Sequence, residues 1–324
     1  MRISEKALNM KYSAVRKLVP LATEAESKGV KVYRLNIGQP NIETPELFFE
    51  GLKNIPDHVI RYADSRGIKE LLDQVIEVYS RDGHVLKKED IIVTQGGSEA
   101  LTMAMLAICN PDDEVLVPEP FYSNYKSFID IAGAKIVPIA TDITNDFALP
   151  KKEEIQKLIT SKTKAIMPVH IFGTPANMDK INEIAKKNNL YVIEDACQAI
   201  GAKYKGQMIG SLSDIACFSF FPTKNLGTYG DGGLITTNND NLATICRALK
   251  AHGSGENGEI AYNLLNNIEE EVKVDSQVDD TVYGGGSGMV IMVEPVVLAI
   301  ESVKTKYSKV ILLTPSGDVY NQDK

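Results

Sequence analysis

The sequence predicts an α/β sandwich, a mostly parallel sheet with helices on both faces. Three observations point to it. Short β-branched or aromatic runs recur from Ile91 to Asn238. Segments with helical spacing separate several of them, and strands that alternate with helices need crossover connections that lay helices over both faces of the sheet. The composition, 44% hydrophobic and 24% charged over 324 residues, is that of a soluble globular chain with ample core.

The elements follow in order. Residues 13–29 have helical spacing and end at Gly29, a candidate C-cap. VYRLNIG (32–38) reads as a short strand entering a turn. IKELLDQVIEVYSRDG (68–83) is an amphipathic helix with Leu71, Leu72, Val75, Ile76 and Val78 on or near one face. IIVTQG (91–96) is a strand running into a glycine turn, and SEALTMAMLAIC (98–109) is a helix apolar nearly all round, hence buried. The runs EVLVPEP (114–120), KIVPIA (135–140), KAIMPVH (164–170), LYVIED (190–195), ACFSFF (216–221) and GLITTN (233–238) read as strands. SNYKSFIDIA, KKEEIQKLI, MDKINEIAKKN and LATICRALKAHG supply helices between them. After about residue 265 the pattern changes. An acidic stretch, NNIEEEVKVDSQVDD, reads as a linker before YGGGSGMVIMVEP, a helix-like run and the strand KVILLTP. The expected organisation is an N-terminal helical arm (1–30), a large domain (31–265), and a linker with a short, atypical α/β segment (266–324).

A net charge of −8 argues against a general nucleic-acid or membrane-surface binder. Cys109, Cys197, Cys217 and Cys246 lie in apolar contexts without CxxC spacing, which reads as buried free thiols in a reducing compartment. No signal-peptide core or membrane-spanning run stands out, so the expectation is a cytoplasmic protein without a metal site.

The chemistry concentrates between Glu194 and Gly233. An acid, Asp195, ends an apolar strand, and Lys224 follows an aromatic-rich strand in a glycine-punctuated loop. A pyridoxal-phosphate enzyme needs such a pair: a lysine amine to carry the cofactor as a Schiff base, and a carboxylate to keep its pyridine nitrogen protonated. GGSEA (96–100) joins a strand to a helix start, where free N–H groups, the positive helix end and the Ser98 hydroxyl make a phosphate cradle. Tyr122 could stack on a flat ring, Ser219 could donate to a phosphate, and His170 at a strand end could touch substrate or cofactor. Each has a plain reading alone: a serine N-cap, a packed aromatic, a strand serine, a hydrogen-bonded structural histidine, a solvated lysine. Their order along the chain carries the chemical reading, and in it the turns bearing Gly97, Asp195 and Lys224 all lie just past the carboxyl end of a strand, where open α/β sheets bind ligands.

Long motifs support that reading by resemblance. LNIGQPNIETP (35–45), RYADSRGIKELLDQV (61–75), IIVTQGGSEAL (91–101) and DEVLVPEPFYSNY (113–125) make residues 3–165 resemble class I aminotransferases of the aspartate type. KAIMPVHIFGTPANMDKINEIAKKNNLYVIEDACQAIGAKYKG and SDIACFSFFPTKNLGTYGDGG make 164–258 resemble the nucleotide-sugar aminotransferases, another branch of fold type I. Both imply a seven-stranded large domain. The first implies Gly97 and Ser98 on the cofactor phosphate, Tyr122 on its ring, Tyr62 reaching the phosphate of a neighbouring subunit, and Gly38 near a substrate carboxylate. The second implies Asp195 on the pyridine nitrogen, Gln198 near the ring hydroxyl, Ser219 on the phosphate and Lys224 as the Schiff-base lysine. Residues 279–321, with YGGGSGMV and VILLTPSG, resemble a piece of the bacterial tRNA (guanine-N1)-methyltransferases and read as a borrowed structural segment in a mosaic or chimeric chain.

The implied function is a pyridoxal 5′-phosphate-dependent aminotransferase, a homodimer that passes an amino group from an amino donor to a keto acid or keto-sugar through Lys224. A second reading is a cofactor-binding chimera with little or no catalysis, since neither family's small domain is recognisable. A third, resting on 279–321 alone, is a tRNA (guanine-N1)-methyltransferase.

Overall fold

The computed structural model describes residues 18–34, 42–55, 62–81 and 85–253, isolated positions that include Gly38, and the backbone of two short strands near the C-terminus. The chain divides into two compact units, Met1–Glu256 and Asn257–Lys324.

In the first unit the helices are α1 (Val19–Ser27), α2 (Glu46–Lys53), α3 (Lys69–Arg81), α4 (Gly96–Ile108), α5 (Tyr125–Ile131), α6 (Lys152–Lys157), α7 (Met178–Asn188) and α8 (Asp240–Lys250). The strands are β1 (Val93–Thr94), β2 (Glu114–Glu119), β3 (Lys135–Ala140), β4 (Thr163–Ile166), β5 (Tyr191–Asp195), β6 (Lys203–Tyr204), β7 (Gln207–Met208), β8 (Ile215–Ser219) and β9 (Gly233–Thr236). Seven of them form one sheet in the order β1-β9-β8-β5-β4-β2-β3. Strands β3, β2, β4, β5 and β8 pair in parallel, whereas β9 runs antiparallel to both β8 and β1. In the second unit Asp279–Asp280 (β10) pairs antiparallel with Val290–Ile291 (β11); the rest of the predicted tail segment lies outside the described residues.

Alternation along the central strands builds the three layers. Val115, Val117, Ile193, Ile215 and Cys217 share one core with α4, α5 and α8. Leu116, Ile166 and Val192 face the other way, onto α6 and α7, while Ala216 and Phe218 meet Leu72 of α3 and Ile209. Buried on both faces, these strands appear in the sequence as nearly continuous apolar runs. Helix α4 is enclosed at Gly96, Gly97, Ala100, Leu101, Met103, Ala104, Met105 and Ile108, as its apolar circumference requires, while Ser98 remains exposed.

Gly29 caps α1 as expected. It adopts φ +79°, and the N–H groups of Gly29 and Val30 close onto Glu26 and Ala25, which satisfies carbonyls left free at the helix end. One element departs from the prediction: among the described residues of 32–38, none is in a strand. Tyr33 there is exposed, and an extended apolar run becomes a strand only where a neighbour and a core face receive it. The sequence reading also omitted the hairpin β6–β7, which turns through Lys205 and Gly206, both at positive φ. No helix of the described residues is long and apolar enough to cross a membrane.

Candidate functional site

Strand register brings the chemistry-bearing residues together. Asp195 ends β5 opposite Cys217 of β8, and Ser219 ends β8 opposite Gly233 of β9, which in turn lies opposite Thr94 of β1. The turn from β1 into α4 and the turn from β8 into the Lys224 loop therefore share one edge of the sheet, although more than a hundred positions separate them in the sequence.

Glycine makes this convergence possible. A Cβ on Gly233 would lie 2.5 Å from Thr94 Oγ1 and 2.6 Å from the backbone of Gly96. A Cβ on Gly97 would lie 2.5 Å from Cys197 Sγ and 3.0 Å from Ser219 Cβ. Gly97 in the helix start, Cys197 after β5 and Ser219 at the end of β8 thus close on one another with no room for a side chain between them. Gln95, at the helix start, donates its N–H to Glu99 Oε2 (2.6 Å), and Lys250 of α8 pairs with the same carboxylate at 2.8 Å, tying α4 to α8.

Asp195 is buried and hydrogen-bonded through both carboxylate oxygens. Cys197 N–H donates to Oδ1 at 2.9 Å, and the Tyr125 hydroxyl donates to Oδ2. The backbone of Asp195 is pinned to the neighbouring segment by its N–H on Pro168 O (2.9 Å) and by His170 N–H on its carbonyl (3.0 Å). Burial pushes the Tyr125 phenol well above its usual range, and the adjacent Asp195 charge and bond push it further, so Tyr125 stays a donor. Burial and the Asp195 charge likewise raise the Cys197 thiol, an effect the nearby Lys224 ammonium partly opposes.

The Lys224 loop is held from its own backbone. Lys224 N–H reaches Phe221 O at 2.8 Å, Phe221 N–H reaches Ser219 Oγ at 3.3 Å, and Thr228 N–H returns to Phe220 O at 2.7 Å. The Lys224 side chain is half-buried, and its Nζ has no hydrogen-bond or ion-pair partner among the described residues. Tyr122 is exposed and meets the Tyr125 ring edge-on, with centroids 5.6 Å apart.

Other sequence candidates stand apart. Gln198 follows Asp195 closely, but its Oε1 is taken by the N–H of Phe172 at 2.8 Å, in a loop where Phe172 adopts φ +54°. Gly38 and Tyr62 are exposed, and nothing among the described residues lies within 4 Å of a Cβ on Gly38. His170 requires a correction. It is fully enclosed: Nδ1 accepts the N–H of Ala176 at 3.1 Å, so Nε2 carries the proton and donates to Glu194 at 2.9 Å. With both ring nitrogens engaged and no solvent face, His170 is a structural strut instead of a substrate contact. Glu194 also accepts from Ser213 Oγ (2.6 Å), Gly210 N–H (3.1 Å) and Leu212 N–H (3.2 Å).

Two site residues escaped the sequence reading. Tyr125 was legible as a helical aromatic and as the last residue of DEVLVPEPFYSNY, with no role assigned to it, although a buried tyrosine usually finds a hydroxyl partner. Cys197 was legible only as one of four buried thiols.

The donor set fits pyridoxal phosphate. A glycine cradle that a Cβ would fill, hydroxyls at Ser98 and Ser219, an anchored carboxylate at Asp195 and an uncommitted amine at Lys224 are what its phosphate, ring nitrogen and aldehyde require.

Comparison with known proteins agrees. Residues 80–267 match the DegT/DnrJ/EryC1/StrS aminotransferase family, and residues 249–324 match the tRNA (Guanine-1)-methyltransferase TrmD family. The aminotransferase match thus starts well before residue 164, where the motifs change in character. A pleiotropic regulatory protein of Geobacillus stearothermophilus is 45% identical over 184 residues, which are 56% of this chain and 47% of that protein. A UDP-N-acetyl-3-dehydro-alpha-D-glucosamine 3-aminotransferase of Acidithiobacillus ferrooxidans is 39% identical over 197 residues, 58% of this chain and 53% of that one. The chain spans about half the length of these relatives. Among solved structures, an alanine aminotransferase from Pyrococcus furiosus superposes with a TM-score of 0.63 at 28% identity, covering 83% of this chain and 77% of that one.

Proposed function

The chain belongs to the DegT/DnrJ/EryC1/StrS aminotransferase family, and from that premise we propose that it transfers an amino group from an amino-acid donor to a keto acceptor, the acceptor being a nucleotide-linked keto-sugar. The carrying observation is the convergence of Gly97, Asp195, Ser219 and the Lys224 loop on one sheet edge. The choice of acceptor is supported by the sugar substrate of the Acidithiobacillus relative.

Pyridoxal phosphate, when bound, supplies an electron sink that stabilises charge at the donor's α-carbon. The protein does the rest. Ser98, Ser219 and the first-turn N–H groups of α4 would hold the phosphate, Tyr122 would flank the ring, and Gln198 would reach the ring hydroxyl once released from Phe172. Asp195 holds a proton on the ring nitrogen. Lys224 Nζ would anchor the cofactor and, once the donor amine has taken its place, would carry the proton from the donor α-carbon to the cofactor carbon, as general base and then as general acid. The same reading places the protein in the cytoplasm as a homodimer, with Gly38 beside a substrate carboxylate and Tyr62 reaching the phosphate held by a second copy.

The test is the visible spectrum of purified protein with pyridoxal phosphate, before and after borohydride, for wild type and Lys224→Ala. A visible band in wild type alone, fixed by borohydride onto Lys224, is the expected result, followed by amination of a nucleotide keto-sugar with glutamate. Full activity in Lys224→Ala, or no band in folded wild type, refutes the assignment.

A further inference from the structure

We propose that Tyr125 is the positioning residue of the cofactor site, holding the Asp195 carboxylate through its hydroxyl and the Tyr122 ring through its own. The inference rests on the pyridoxal-phosphate reading of the site and extends it to a residue that no motif singled out.

The geometry assigns the two halves of the side chain to different partners. The hydroxyl donates to Asp195 Oδ2, while Cys197 N–H takes Oδ1 at 2.9 Å. Two donors on opposite oxygens remove the rotational freedom of the carboxylate, yet each oxygen keeps a lone pair for a ring N–H. The Tyr125 ring lies edge-on to Tyr122 at 5.6 Å and roughly parallel to Phe121 at 6.2 Å. One buried side chain therefore spans the partner of the ring nitrogen and the aromatic expected on the ring face.

The hydroxyl also matters for charge. The titratable groups facing this pair are Cys197 and Cys217, both thiols raised by burial, together with Tyr122, Glu194 and Lys224. Glu194 is turned away and satisfied by His170, Ser213, Gly210 and Leu212. The Tyr125 hydroxyl and the Cys197 N–H are the donors that hold the buried Asp195 carboxylate where a ring N–H would meet it. Without the hydroxyl, the Asp195 carboxylate loses one of its two donors and would hold a ring N–H less firmly. A ring nitrogen held less firmly would carry less positive charge, which would move the pH midpoint of the visible band upward.

A purely structural tyrosine would alter stability and nothing else, so the experiment is a double-mutant cycle on the full chain. Wild type, Tyr125→Phe, Asp195→Asn and the double variant are compared for pyridoxal-phosphate dissociation constant and for the pH midpoint of the visible band. Tyr125→Phe keeps the ring and should weaken binding about tenfold, as loss of a hydrogen bond to a charged group does. It should also move the midpoint upward, in the same direction as Asp195→Asn but by less. With Asp195 already replaced, Tyr125→Phe should change neither quantity. Unchanged values in Tyr125→Phe, or equal shifts in both backgrounds, overturn the proposal. Absence of any Lys224-dependent band in wild type removes the cofactor reading and the proposal with it. Should Tyr125→Phe not fold, the apoproteins carry the test. Wild type should show a slowly exchanging, downfield hydroxyl proton by NMR that Asp195→Asn lacks, and its persistence in Asp195→Asn overturns the assignment.

Discussion

Gly97→Ala is the sharpest perturbation of the cradle, because two effects of opposite sign compete within one methyl group. Alanine is the better helix former, by up to about 1 kcal/mol in a helix interior, and less at the second position of α4. Against this, the new Cβ would meet Cys197 Sγ at 2.5 Å and Ser219 Cβ at 3.0 Å. Neither neighbour moves freely: the Cys197 backbone is held by its N–H on Asp195 and its Sγ reaches Cys217 O at 3.6 Å, and Ser219 lies in the β8 ladder. Overpacking of this kind costs roughly 1–3 kcal/mol, so the clash outweighs the propensity gain and a net loss of about 1–2 kcal/mol is expected. Urea unfolding of the apoproteins measures it, and pyridoxal-phosphate titration should show weakened binding. Adding Cys197→Ala removes the shorter contact and leaves the one to Ser219, so the double variant should recover part of the loss, with a coupling of about 1 kcal/mol. Wild-type stability and affinity in Gly97→Ala would refute the close approach on which the whole site rests.

Two further expectations complement the Lys224 and Tyr125 tests. Glu194→Gln puts an amide N–H₂ among the donors His170, Ser213, Gly210 and Leu212 and should cost about 2–4 kcal/mol in chemical unfolding. Burial alone would raise the Glu194 carboxyl, but those bonds outweigh it and hold it below the ordinary 4.5. Its stabilisation is thus complete above that value and lost as pH falls through the lower folded-state one, and Glu194→Gln should lack this part of the acid slope. Burial raises the thiols of Cys109 to about 12 and Cys246 to about 11, and pushes Cys197 and Cys217 higher still. At pH 8 a disulfide reagent should therefore modify the native protein slowly and all four cysteines promptly after denaturation; a thiol reacting at the rate of an exposed cysteine would contradict this burial.

What the sequence disclosed was what local chemistry determines. MDKINEIAKKN appears as α7 with the same limits, and LYVIED and ACFSFF end in β5 and β8 within a residue or two. Strand-to-turn junctions were legible because apolar runs stop where glycine or a charge begins, which placed the turns of Gly97, Asp195 and Lys224 at the carboxyl ends of strands. Partners across the sheet were not legible. That Tyr125 meets Asp195, or Cys197 meets Gly97, depends on strand order and register, which no spacing in the chain encodes. His170 shows the converse error: a strand-end histidine has the same appearance in sequence whether it faces a ligand or a buried glutamate.

Strand β9 has a consequence for the order in which the molecule can assemble. It comes after the Lys224 loop, yet among the described residues it is the strand that lies between β8 and β1. Until Gly233–Thr236 has been made and docked, the parallel core from β3 to β8 ends in an open edge at β8, and Thr94 has no strand beside it. A nascent chain that stalls short of Gly233 therefore carries Gly97, Asp195, Ser219 and Lys224 without the strand that joins β8 to β1. It also shows other chains a bare row of backbone donors and acceptors. The cradle and the protection of the sheet edge arrive in one late step, so a defect in β9 should register first as aggregation during synthesis and only afterwards as lost cofactor binding.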